Sequence, residues 1–187
     1  MRADLLLLAV LFIAAHRIAF AQGAGETLSR DAQTARAPAG SGNWLVSETT
    51  SPVDYSPIVA ATTSSRGGSD DATMQLSIHC RAGRTEIVVA GPTVSRRGEY
   101  LISYRINDSP PVQLPAAPPS FGTGAAFGGD AVGLLQLLPD EGDFAVRVSK
   151  RAGAASEGHF QLSGLKTIRE KIATACKWPH AFARQRN

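Results

Sequence analysis

The strongest constraint on what this chain can fold into is a strict alternation of apolar and polar side chains that recurs in separate stretches. In Met74-Gln75-Leu76-Ser77-Ile78-His79-Cys80 every second residue is apolar. A β-strand points successive side chains to opposite faces. Met74, Leu76, Ile78 and Cys80 therefore belong to a core, and Gln75, Ser77 and His79 face away. Tyr100, Ile102, Tyr104 and Ile106 repeat the pattern, with Ser103, Arg105 and Asn107 outward. Phe144, Val146 and Val148 repeat it again, with Arg147 and Ser149 outward. Residues 86–90 pair with the first of these strands across the turn Arg81-Ala82-Gly83-Arg84, which has a glycine where a tight hairpin needs one. Phe160 and Leu162 make a shorter run, and residues 44–50 and 59–64 are weaker strands rich in β-branched side chains.

Two helices fit among and after these strands. Asp130 is placed to cap a helix through Leu134, Leu135 and Leu138, ended by Pro139. Leu165, Ile168, Ile172 and Cys176 recur at spacings of three and four, forming one stripe of a C-terminal helix with Ser163 as its expected N-cap. Pro179 stops that helix. Pro110, Pro111, Pro115, Pro118 and Pro119 lack the ladder donor, so the stretch that holds them reads as an edge or a loop. The expected fold is mainly β with two short helices: an antiparallel β-sandwich or curled sheet, with the C-terminal helix packed on it.

Residues 1–21 read as a cleavable signal peptide. An apolar run covers residues 5–15, about 11 residues where a membrane-spanning helix needs about 20. His16 and Arg17 end the run, and Ala19-Phe20-Ala21 supplies the small residues of a cleavage site before Gln22. An uncleaved anchor is the rival reading, disfavoured by the short run and the triplet. The first cysteine is Cys80, so no lipid-carrying cysteine follows the leader. Residues 22–42 contain one large apolar side chain, Leu28, and read as a flexible linker. Residues 43–179 then form a single β-rich domain, and residues 180–187 a basic tail. Without Arg2, Asp4 and Arg17 the formal net charge falls from +3 to +2. Lys177, Arg184 and Arg186 form the nearest thing to a basic cluster, too small to read as a nucleic-acid surface. No later stretch suits membrane insertion, so the localisation expected is the periplasm.

An exported chain with two cysteines most simply makes one disulfide. Cys80 ends an inward-facing strand pattern and Cys176 lies on the inward stripe of the last helix, so both face one core. A redox or nucleophilic thiol would need a CxxC pair or a helix N-terminus, and Cys176 lies at a C-terminus.

Motifs of catalysis and cofactor binding are missing. The sequence holds no HExxH, CxxC, GxSxG or Walker A loop. His79 and Cys80 point to opposite faces of a strand and cannot share a metal there, and His79, His159 and His180 each read as surface residues. The glycines of residues 122–129 lack the GxGxxG spacing and the preceding strand of a dinucleotide site, and read as a short strand or turn leading into a helix. Asp70-Asp71 and Asp140-Glu141 sit beside glycines and read as solvated turn acids. No catalytic residue, cofactor-binding residue or metal ligand is assigned, and the chain is expected not to be an enzyme.

Trp44-Leu45-Val46-Ser47 and Ser51-Pro52-Val53-Asp54-Tyr55-Ser56 resemble the opening of the VasI/TagO family of type VI secretion-associated proteins. The resemblance continues through Leu76-Ser77-Ile78-His79-Cys80, Tyr104-Arg105-Ile106-Asn107-Asp108 and Phe160-Gln161-Leu162-Ser163-Gly164-Leu165, and ends at Cys176. It covers nearly the whole of residues 43–179. It implies a periplasmic accessory protein that acts through contacts with envelope or secretion-apparatus proteins, without cofactor. The candidate partner contacts are Ser51, Pro52, Asp54 and Arg105. Residues 51–56 read equally as a turn, because Ser and Asp bond nearby amides and Pro52 and Pro57 stiffen the chain. For Arg105 the ordinary expectation is a cross-strand ion pair. The alternative function is a free-standing periplasmic β-sandwich that binds a ligand or inhibits an enzyme. A small periplasmic hydrolase, which would gather His79 or His159 with acids and a serine in a cleft, comes third.

Overall fold

A computed structural model describes residues 42–66, 73–94, 98–150 and 155–179. The signal-peptide reading, the linker up to residue 41, Asp70-Asp71, His180 and the basic tail lie outside the described residues. Among the described residues nine strands and two helices follow in the order β1 Leu45–Thr50, β2 Pro57–Ser64, β3 Gln75–Arg81, β4 Arg84–Ala90, β5 Tyr100–Ile106, β6 Val112–Ala117, β7 Ala125–Phe127, α1 Ala131–Leu137, β8 Asp143–Lys150, β9 Ala155–Gln161 and α2 Leu165–Ala175. The strands form one antiparallel sheet in the order β1-β2-β3-β4-β7-β6-β5-β8-β9.

Of the two expected arrangements, the structure adopts the curled sheet. An antiparallel bridge joins Arg66, just past β2, to His159 on β9, so the far end of the sheet bends back toward the segment that follows β2. Glycine at 158 permits the approach: a Cβ there would lie 3.0 Å from the Ser65 side chain and 3.1 Å from that of Met74. The concave side holds one apolar core. It takes Leu76, Ile78 and Cys80 from β3, Ile102 from β5, Phe144, Val146 and Val148 from β8, and Phe160 from β9. The alternation in the sequence thus reports the concave face.

The β3–β4 hairpin turns on Ala82 and Gly83, both in the left-handed region at φ 48° and 72°, with Arg81 paired to Arg84. Two consecutive left-handed residues match the natural twist of the strands. Helix α1 is capped as expected, the Asp130 carboxylate accepting from the Gly133 N–H at 2.9 Å. Helix α2 lays Leu165, Ile168 and Ile172 on the core and packs over β2 and β3. Its stripe brings Cys176 to Cys80, and the two form a disulfide with Cα atoms 5.6 Å apart. The Trp178 indole N–H then donates to the Thr85 hydroxyl at 2.7 Å, tying the end of the helix to β4. Among the described residues no helix is long and apolar enough to cross a membrane.

Several local expectations are corrected. The N-cap of α2 is Gly164 at φ 87°, with no side-chain capping bond, not Ser163. Strand β9 begins at Ala155, well before the short run at Phe160, because Gly158 and Ser156 break the apolar signal without breaking the ladder. The proline-rich stretch is neither an edge nor all loop: β6 sits inside the strand order between β7 and β5. Leu114 pairs with Ile102 of β5, while the Pro115 carbonyl faces the other way and accepts from the Gly128 N–H at 2.9 Å. An N–H at 115 would point the same way as that carbonyl. It would fall beyond Phe127, the last ladder residue of β7, where no bond is required.

Candidate interaction surface

Residues 51–56 link β1 to β2. The Ser51 N–H donates to the Ser56 carbonyl at 2.9 Å and the Tyr55 N–H to the Ser51 carbonyl at 2.9 Å. Side chains complete the frame. The Ser51 hydroxyl accepts from the Val53 N–H, and the Asp54 carboxylate accepts from both the N–H and the hydroxyl of Ser56. Hydrogen bonds from Ser51 and then Ser56 hold the Asp54 carboxyl below its ordinary pKa, although the group is fully exposed. The polar residues expected to contact a partner thus bond one another, as the turn reading requires.

What they present outward is apolar. Val53 is 88% exposed and Tyr55 81% exposed, and Tyr55 stands in the left-handed region at φ 55°. With Leu45 on β1, this hairpin carries three of the six exposed large hydrophobic residues among the described ones. Sequence reading picked Ser51, Pro52 and Asp54 and missed Val53 and Tyr55. The available signal was a Val-x-Tyr pair enclosed by two prolines, too short for either side chain to reach a core.

Beside the hairpin runs a groove of about 600 Å³ between α2 and the first two strands. Pro57 and Val59 line it from β2, and Thr167, Glu170 and Thr174 from α2. The Lys171 ammonium donates to the Glu48 carboxylate at 2.5 Å, across the groove.

Arg105 is not part of this surface. It lies on β5, opposite Ala145 of β8, and makes no cross-strand ion pair among the described residues, against the expectation. It lines a separate shallow groove with Pro111, Arg147 and Glu157. An ion pair on that face joins Arg147 to Glu157 at 3.7 Å.

His79 stands on β3 and His159 on β9. The His159 Nδ1 meets the Asp143 carboxylate at 2.8 Å, and its Nε2 lies 3.7 Å from Glu157, all partly exposed. His79 corrects the surface expectation: it is half-buried, with its ring centroid 4.5 Å from that of Phe121. The Arg81 guanidinium lies 5.2 Å from the same phenyl ring. Glu86, opposite His79 on β4, anchors this loop by accepting from the N–H and the hydroxyl of Ser120. The His79 Nδ1 is buried without a hydrogen-bond partner among the described residues. Burial lowers the His79 pKa, and the charge of Glu86 opposes that shift in part. Among the described residues no group of three or more His, Cys, Asp or Glu is placed to hold a metal ion.

The chain matches no family model, no curated protein and no solved structure.

Proposed function

We propose that the protein is an exported accessory of the bacterial envelope that works by protein–protein contact, with the β1–β2 hairpin as its contact surface. The observation that carries the reading is the pair Val53 and Tyr55, held almost fully exposed on a loop braced by its own hydrogen bonds. Such a tip contributes little to the fold and orders little on binding, so its apolar area is available to a partner. The Cys80–Cys176 disulfide supports export, because disulfides persist in oxidising compartments. The sequence resemblance to VasI/TagO proteins supports the periplasm and a type VI secretion apparatus as the setting.

The test is site-specific photo-crosslinking in the native host, with the crosslinker at Tyr55 and, as control, at Arg105 on the separate groove. Adducts with envelope or secretion-apparatus proteins from Tyr55, and not from Arg105, are the expected result. Absence of adducts from Tyr55, together with unchanged effector secretion in a deletion strain, overturns the reading.

A further inference from the structure

Among the described residues strand β1 ends the sheet, with no strand beside its outer edge. The hydrogen-bond register shows which of its backbone groups are open. The Ser51 N–H bonds across to Ser56, and in an antiparallel ladder bonded residues alternate. Thr49, Ser47 and Leu45 therefore face Ile58, Ala60 and Thr62 of β2. The next ladder agrees: the Ser65 N–H reaches the Met74 carbonyl at 2.8 Å, so the odd-numbered residues of β2 face β3. The N–H and C=O groups of Val46, Glu48 and Thr50 consequently point away from the sheet.

Exposed edges are normally blunted by lysine, proline or a bulge. Strand β1, Leu-Val-Ser-Glu-Thr-Thr, carries none of these. Its single charge, Glu48, is turned to Lys171 on α2. Leu45 stands 54% exposed on the convex face. A strand laid along this edge would send alternate side chains toward the groove beneath α2, where Glu170 has no ion pair among the described residues.

We propose that this edge takes an extended, basic segment of a partner protein as a tenth strand, with a lysine or arginine reaching Glu170. The proposal rests on the protein-contact reading above and names the partner's chemistry. Charge also disfavours a second copy of the chain. Symmetric antiparallel pairing must match Val46, Glu48 and Thr50 with their own counterparts. In the registers that pair two or three of these residues, Glu48 falls directly across from, or one diagonal step from, the Glu48 of the other copy, and like charges so placed repel.

The probe is a displayed library of random peptides of about 12 residues, long enough to cover a typical strand. It is panned on the purified disulfide-bonded protein and counter-selected on Thr50→Pro. That substitution removes an edge donor and leaves the β2 ladder whole. Enriched peptides are expected to alternate β-branched residues with Lys or Arg and to slow amide exchange at Val46, Glu48 and Thr50. They should bind Thr50→Pro and Glu170→Lys about tenfold more weakly. N-methylation of a peptide's ladder amides, which leaves the protein untouched, should abolish binding.

Lack of enrichment overturns the proposal, as does equal binding to Thr50→Pro or to N-methylated peptides. Edge-amide protection that grows with protein concentration in the absence of peptide assigns the edge to a second copy, and also overturns it. Crosslinks from Tyr55 that persist while the peptides fail would leave the contact reading intact and remove strand addition alone.

Discussion

At the residue scale, the disulfide and His79 have measurable consequences. The disulfide joins residues 96 apart, and in the chain-entropy model it restricts the unfolded ensemble by about 4–5 kcal/mol. Reduction, or Cys176→Ser, should therefore lower the thermal midpoint steeply, read by circular dichroism with and without reductant. An unchanged midpoint would mean that the link constrains little. His79 gives a pH dependence. Its folded pKa is lowered by burial beneath Phe121, so the unfolded chain binds the proton more readily. The contribution of the neutral ring is complete above the ordinary histidine value of about 6.5 and is lost as pH falls from there through the folded pKa. His79→Gln should flatten the fall in thermal midpoint below pH ~6.5. NMR titration of the ring should show a midpoint below that value. The sequence showed that His79 faces away from Cys80. It did not show that Phe121, on a distant loop, would cover it.

At the element scale, strands with strong alternation were legible and short or interrupted ones were not. β3, β5 and β8 each turn their alternating apolar side chains to a buried face, with Ala145 of β8 alone also buried on the other, so their periodicity carries the answer. β7 has three residues, all buried, and no periodicity to read. Proline's missing donor points to an edge or a loop, yet β6 has a neighbour on both sides, because Pro115 sits where β7 runs out. Two substitutions test the local accounts. Asp130→Ala removes the α1 N-cap and should cost about 1 kcal/mol. Gly124→Ala should cost about 2 kcal/mol or more, because φ is 130° and the new Cβ would lie 2.6 Å from the Val89 carbonyl oxygen. Urea unfolding of both variants measures the two effects; equal stability of Gly124→Ala and wild type would contradict the close approach of β7 to β4.

At the scale of the whole molecule, stability and contact are assigned to different regions. The core and the disulfide lie on the concave side beneath α2, and the Val53–Tyr55 tip stands clear of both. Replacing Val53 and Tyr55 together by serine should leave the thermal midpoint nearly unchanged, since exposed substitutions usually fall within about 0.5 kcal/mol. The same double variant should lose the adducts captured by a crosslinker placed at Pro52, scored by immunoblot. Retained adducts would move the contact elsewhere. Residue order alone is enough to read the buried face of each strong strand, the stripe of α2 and the pairing of Cys80 with Cys176. Periodicity and residue type carry that information locally. Only the tertiary structure decided the strand order, the curl that brings Arg66 to His159, and the exposed edge of β1. Alternation names a side chain's face and not its strand's neighbour, so an edge becomes visible only once every other strand has found its place.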